Sequence, residues 1–212
     1  MEIIPTFFFT ADEHYGHTNI IKYCDRPFTS IEEMDAEIID RHNEVVGPQD
    51  IVIHAGDFTL AKKTFAENYI KRLNGTHIFL KGSHDYWLKK SAAMVWEKEI
   101  KGFYVVVCHF AMRVWPRSHY NSWQLYGHSH GKLPPIGKQW DIGVDNNDFY
   151  PVSFNKIREI MQNRPDNPNF VGNKAARRSL SGHLKGYPGT GGSGPDSNRS
   201  IGNRRGRRTK VN

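Results

Sequence analysis

Two cysteines, Cys24 and Cys108, are all that the 212 residues contain, and they stand in no C-x-x-C spacing. That excludes a disulfide framework and a thiolate zinc site, and points to a reducing compartment. Long hydrophobic runs are missing as well. The apolar start, IIPTFFF, is short, interrupted by Pro5 and preceded by Glu2, so it lacks the basic lead and long apolar stretch of a secretory signal. No segment approaches the roughly 20 apolar residues that cross a bilayer. The expectation is a soluble, cytoplasmic protein with no membrane partner.

Basic excess is missing too, from most of the chain. The formal charge is +7, from 29 basic and 22 acidic residues. Residues 163 to 212 hold eleven of the basic and two of the acidic residues, which leaves eighteen against twenty in the body. A near-neutral body argues against a nuclease, which needs a basic groove beside its catalytic centre as well as a basic tail. From Asn163 onward the chain is rich in Gly, Ser, Asn and Arg and poor in large apolar residues. Such a segment cannot bury enough surface to offset its ordering entropy, so a domain over 1–162 and a disordered basic tail over 163–212 are expected.

What is present is a series of short β-rich runs: TFFFTA (6–11), DIVIHA (50–55), THIFLK (76–81), FYVVVCHF (103–110), SWQLYG (122–127) and WDIGV (140–144). Between the first two, Ser30 and Glu33 have capping-box spacing, and Ile31, Met34, Ile38 and Val45 recur near one helical face. A second helix is expected from Leu60 to Leu73 and a third from Phe154 to Met161. The order implies an α/β layered fold whose later strands pair in hairpins.

Histidines and aspartates cluster where these strands end: Asp12, His14 and His17, then Asp57, His84 and Asp85, His109, and finally His128 and His130. Strand ends in an α/β sheet converge on one edge, where ligands bind. Carboxylates and imidazoles without thiolates suit manganese, iron, zinc or nickel. Two such ions about 3.5 to 4 Å apart can clamp both sides of an in-line displacement, so the chemistry implied is phosphate ester hydrolysis.

The blocks ADEHYGH, HAGDF, KGSHD, VVCHF and LYGHSH, in this order over roughly residues 6 to 144, resemble the signature blocks of the calcineurin-like metallophosphoesterase superfamily. The continuation DIGVDNNDFYPVSFNKI is similar to small bacterial and phage members. The resemblance implies a four-layer α/β/β/α sandwich of two mixed sheets flanked by helices. It implies two divalent metal ions, manganese first. Asp12, His14 and His130 would hold one, His109 and His128 the other, and Asp57 would bridge them. A hydroxide between the metals would be the nucleophile. His84 would be the acid, with Asp85 fixing its tautomer. Ser83 stands where the family has an asparagine ligand, and a hydroxyl is the shorter and poorer donor, so the second site is expected to be looser.

The segment AMRVWPRSHYNSW lies between two ligand blocks, which suggests a position over the cleft. There Arg113, Arg117, His119 and Tyr120 would contact substrate, with Trp115 or Trp123 stacking, and His17 would stand beside them. His54 reads as packed near the site, Cys108 as core, and His42, His77 and His183 as surface or tail residues. The reading that follows is a phosphodiesterase or phosphomonoesterase acting on a small phosphoester. The alternatives are a metal-binding scaffold with faded catalysis, favoured by Ser83, and a nuclease that holds nucleic acid through its tail.

Overall fold

A computed structural model of the protein describes residues 4–172. Among them, β1 (Phe7–Thr10), β2 (Ile51–His54) and β3 (Thr76–Phe79) run parallel in the order β3-β2-β1, and β8 (Val152–Ser153) pairs antiparallel with β1. A second sheet has the order β4-β5-β6-β7, from β4 (Val95–Ile100), β5 (Phe103–Cys108), β6 (Trp123–Tyr126) and β7 (Gln139–Asp141). Both sheets are mixed. The helices α1 (Thr18–Tyr23), α2 (Ile31–Val45), α3 (Lys63–Ile70) and α4 (Phe154–Gln162) flank them, which is the layered α/β arrangement expected.

Side-chain alternation decides which face each strand buries. Phe9, Ile53, Val105, Val107 and Leu125 point into the core between the sheets, joined by Phe154, Ile157 and Met161 of α4, while Phe8 and Val52 point the other way with Val46. A separate core gathers Met34, Ile38 and Ile39 of α2 with Tyr15, Phe58 and Ala66. The buried face of α2 thus runs through Met34, Ile38 and His42, whereas Val45 is exposed. Ser30 caps α2 by accepting from the Glu33 amide at 3.1 Å, and the Glu33 carboxylate reaches back to Thr29 rather than to Ser30.

Among the described residues only β4 and β5 form a hairpin, through a Lys101–Gly102 turn with both residues at positive φ. β5, β6 and β7 are parallel neighbours, contrary to the expected run of hairpins. The connections 109–122 and 127–138 are long enough to travel back along the sheet, so consecutive strands can enter it in the same direction. Strand β4 escapes the sequence pattern because most of its side chains are exposed and only Ile100 is buried.

The body does not stop at 162. Asn167 is buried and donates to the Ser118 and Ser122 carbonyls at 3.0 and 2.9 Å, Arg164 donates to the Gly137 and Pro135 carbonyls, and the Val171 amide donates to the His119 carbonyl. Asparagine and arginine dock here by hydrogen bonding to loop carbonyls, not by apolar burial, so a hydrophobicity argument misses them. The expected tail from residue 173 on, with His183, lies outside the described residues. No described helix is long and apolar enough to cross a membrane.

Topology delivers the site. The C-terminal ends of the two sheets meet where Ala11, just past β1, bridges Gly143, just past β7, and the Gly127 amide donates to the His109 carbonyl at 3.0 Å.

Candidate metal centre

Asp12 and His14 follow β1, Asp57 follows β2, Ser83 and His84 follow β3, His109 follows β5, and His128 and His130 follow β6. They assemble into two groups, Asp12–His14–His130 and Asp57–His109–His128. Within each group the donor atoms lie within 4.8 Å of one another. Asp57 stands between the groups, its Oδ2 3.8 Å from His14 Nε2 and 3.3 Å from His109 Nε2. Ser83 Oγ lies 3.5 Å from the same His109 nitrogen. His84 Nε2 lies 3.9 Å from Asp57 Oδ2 on a side chain that is 42% exposed.

Local backbone conformation aims these side chains. Asp12, His14, Asp57, His128 and His130 all have left-handed φ, between +49° and +67°. Asp and His tolerate that region better than most residues, but each such position still costs on the order of 1–3 kcal/mol and persists only where its surroundings hold it. Here the Asp12 and His14 amides donate to the Gly56 and Asp57 carbonyls at 3.0 Å, and the His128 amide donates to Asp12 Oδ2 at 2.8 Å. Close approach explains two glycines. A Cβ on Gly56, which has φ +105°, would stand 2.6 Å from Gly82 Cα, and one on Gly127 would stand 2.7 Å from Asp12 Oδ2.

A buried network behind the first group has no sequence counterpart in the expected site. Arg26 donates to both Asp145 oxygens at 2.7 and 2.8 Å and to the carbonyls of Asp12 and Glu13 at 2.7 and 3.0 Å. Asp145 in turn holds His130 Nδ1 at 2.7 Å, which leaves the other His130 nitrogen to face Asp12 and His14. Burial pushes the Asp145 pKa up, but His130 and Arg26 outweigh it and bring it down to about 2. Cys24 also approaches His130 and Asp145. The Arg26 guanidinium already pairs with both oxygens of that carboxylate. An isolated arginine in a DRPF stretch gave no signal, although Asp145 stood in the quoted DIGVDNND continuation.

Asp85 does not hold His84. Its carboxylate accepts from the amides of Asp57, Phe58 and Gly82 at 2.7, 3.0 and 2.9 Å and from the Trp87 indole at 3.0 Å. Four donors saturate it, so it fastens the loop after β3 to the loop after β2. His84 is placed instead through its backbone amide, which donates to Asp57 Oδ1 at 2.8 Å.

The 111–123 segment departs from expectation in the same measurable way. Because β5 and β6 are parallel, the connection must return to the far edge of the sheet before β6 begins. Arg117 and Tyr120 therefore line a cavity of about 670 Å³ with Phe103, Tyr104 and Trp123, at the strand ends opposite the candidate metal ligands. Arg117 lies over the Tyr104 ring at 4.2 Å, His119 packs at a tilt against Tyr120, and Arg113 is exposed. Trp115 and Trp123 are buried, so neither offers a stacking surface. His17 does sit at the site, its ring 5.6 Å from that of His14. His42 proves buried rather than superficial, its Nε2 donating to the Asn74 carbonyl at 2.9 Å, and His54 packs near the site against Glu13 at 2.6 Å.

The residues fit divalent cations. Asp12 Oδ1 and both ring nitrogens of His14 are buried without a hydrogen-bond partner, an arrangement that costs free energy unless something else pairs with them. Burial, and then the charge of Asp57, raise the Asp12 pKa well above the usual carboxylate range, while burial lowers that of His14 to about 3. Burial also acts to raise Asp57, but contacts with His109, the His84 amide and His14 bring it down to about 2. A neutral His14 imidazole facing crowded carboxylates suits a bound cation.

No family model matches the chain. Over 165 residues it is 32% identical to the uncharacterized protein MJ1445 of Methanocaldococcus jannaschii, covering 72% of this chain and 89% of that one. The chain belongs to the same family as this archaeal protein. Among solved structures, the protein of unknown function AQ665 from Aquifex aeolicus aligns over 74% of this chain and all of its own. It has a TM-score of 0.58 at 23% identity, so the two share a fold. A Streptococcus pneumoniae protein described as a predicted phosphoesterase aligns over 68% of this chain and 73% of its own, with a TM-score of 0.35 at 14% identity.

Proposed function

We propose that the protein is a metal-dependent phosphoesterase of the calcineurin-like metallophosphoesterase type, hydrolysing a phosphodiester or phosphomonoester. The observation that carries this reading is the pairing of two three-residue ligand groups across Asp57, with an uncommitted imidazole, His84, beside them. Asp12, His14 and His130 would hold one divalent ion, and His109, His128 and Ser83 the other, with Asp57 between. Such ions polarise a phosphoryl oxygen and make water acidic enough to attack at neutral pH.

The chain's own residues supply the rest. His130 presents one ring nitrogen because Asp145 takes the other, and His109 does the same through the Ala55 carbonyl at 3.1 Å. His84 reaches toward the cleft from a backbone anchored on Asp57, where it can donate a proton to the departing oxygen. Asp85 keeps that loop registered against Asp57 without touching the reacting atoms.

The test is to load the protein with manganese, measure bound metal, and assay a panel of mono- and diesters. Turnover that rises with metal content and falls in His84→Ala supports an enzyme. Stoichiometric metal without turnover of any ester favours a binding scaffold, a reading to which Ser83 lends some support.

A further inference from the structure

Two exposed aromatic rings flank the candidate ligands, one beside each group. On one side Tyr23, the last residue of α1, is 64% exposed and meets His17 edge-on at 6.2 Å, and His17 in turn neighbours His14. On the other side Phe110 is 37% exposed, with its ring 4.8 Å from both His109 and His128. The contacts run in a row from Tyr23 through His17 and His14 to Asp57, then through His109 to Phe110. A phosphorus centred near Asp57 would therefore have a partly exposed aromatic ring beside each ligand group.

We infer that the substrate is a phosphodiester carrying a planar, base-like group on both sides of phosphorus, a dinucleotide-type ester, with Tyr23 and Phe110 as its two stacking surfaces. This rests on the phosphoesterase reading of the metal centre. Every nucleobase has a π-face, so stacking recognises the class without reading sequence. A monoester would use one of the two rings, and a dialkyl ester neither. In the reaction the oxygen of water bonds to phosphorus and the ester bond on the leaving side breaks. The leaving oxygen takes a proton, giving one nucleotide-type monoester and one alcohol.

The test uses the manganese-loaded full chain and two probes of equal charge, a dinucleoside monophosphate and the methyl phosphodiester of one of its nucleosides. Equal charge cancels any pull from the basic C-terminal residues. KM is measured on the wild type, and dissociation constants on manganese-loaded His84→Ala. The dinucleoside should bind more tightly, and Tyr23→Leu or Phe110→Leu should each weaken it by roughly 5- to 150-fold, the span of base–aromatic stacking. Metal content measured on each variant separates this from ligand loss. Equal affinity for the two probes would overturn the proposal, as would leucine variants that bind the dinucleoside as well as wild type. Turnover of esters with no preference for planar groups sinks this proposal alone. Binding without turnover of any ester sinks the phosphoesterase reading and the substrate assignment with it.

Discussion

The two ligand groups share Asp57 as a neighbour yet differ in what stands behind them. Behind Asp12, His14 and His130 lies the buried Arg26–Asp145 pair, which fixes the His130 ring and ties down the Asp12 and Glu13 backbone. Behind Asp57, His109 and His128 there is less. His109 is buried and bonded to the Ala55 carbonyl, but His128 is exposed, and the third-strand loop offers the short Ser83 hydroxyl. Metal affinity depends on how well the surroundings hold ligands in place. On the proposed function, the first group would therefore hold its ion firmly and the second loosely.

The largest effect should come from the residue that both groups face. Asp57→Asn removes the charge between them and should abolish turnover and deplete both metals, as metal analysis after desalting would record. It should also erase most of the rise in Tm that added manganese gives the wild type, because a ligand stabilises only the state that binds it. Retention of two tightly held ions would break the comparison at its root. Next in size is His84→Ala, which should cut turnover by roughly 10² to 10⁴ while leaving metal content nearly unchanged. The loss should shrink for esters whose leaving group is already a stable anion. Equal losses across leaving groups would remove the acid role.

Arg26→Ala and Asp145→Asn address the firm side. Either should weaken one metal by about 10 to 100-fold in a titration, with less effect on the other. Arg26→Ala also strands a carboxylate whose pKa its partners hold near 2, so this variant should lose folding stability as well. Asp145→Asn keeps shape and removes charge, which separates the two effects. Weakening of both metals alike would show that the network supports the whole centre and not one half.

Much of this arrangement was legible because candidate metal ligands are a residue type, an order and a place at once. Asp12, His14, Asp57, His109, His128 and His130 each follow a strand of apolar residues, and parallel strands can only end on one edge. Arg26 and Asp145 were not legible, since their roles exist only once the loop after α1 and the loop after β7 bring these two residues, 119 positions apart in sequence, side by side. Asp85 misled for a related reason. Adjacency to His84 suggested a partner, whereas backbone amides across the loop were nearer. The 111–123 segment was placed by its neighbours in sequence, but the direction of β6 carries Arg117 and Tyr120 to the opposite edge. Residues 164 to 171 look disordered in composition and yet dock through Asn167 and Arg164, because hydrogen bonding to loop carbonyls leaves no mark on hydrophobicity.

Ser83 provides the smallest and most direct probe of the loose side. Its Oγ already lies 3.5 Å from His109 Nε2, so the hydroxyl faces the second group rather than solvent. An asparagine at this position would place an amide oxygen, a better and longer donor, at the same corner. Ser83→Asn should then lower the manganese concentration needed for half-maximal activity by about tenfold, the lower end of what such adjustments achieve. The first metal should be unaffected, because Arg26 and Asp145 hold its ligands from the other side. Ser83→Ala gives the complementary reading: further weakening of the second metal if the hydroxyl participates, and no change if water fills the corner. A Ser83→Asn titration that overlays the wild type in an active enzyme would mean that the second group is as firm as the first. The asymmetry between them would then have no functional consequence.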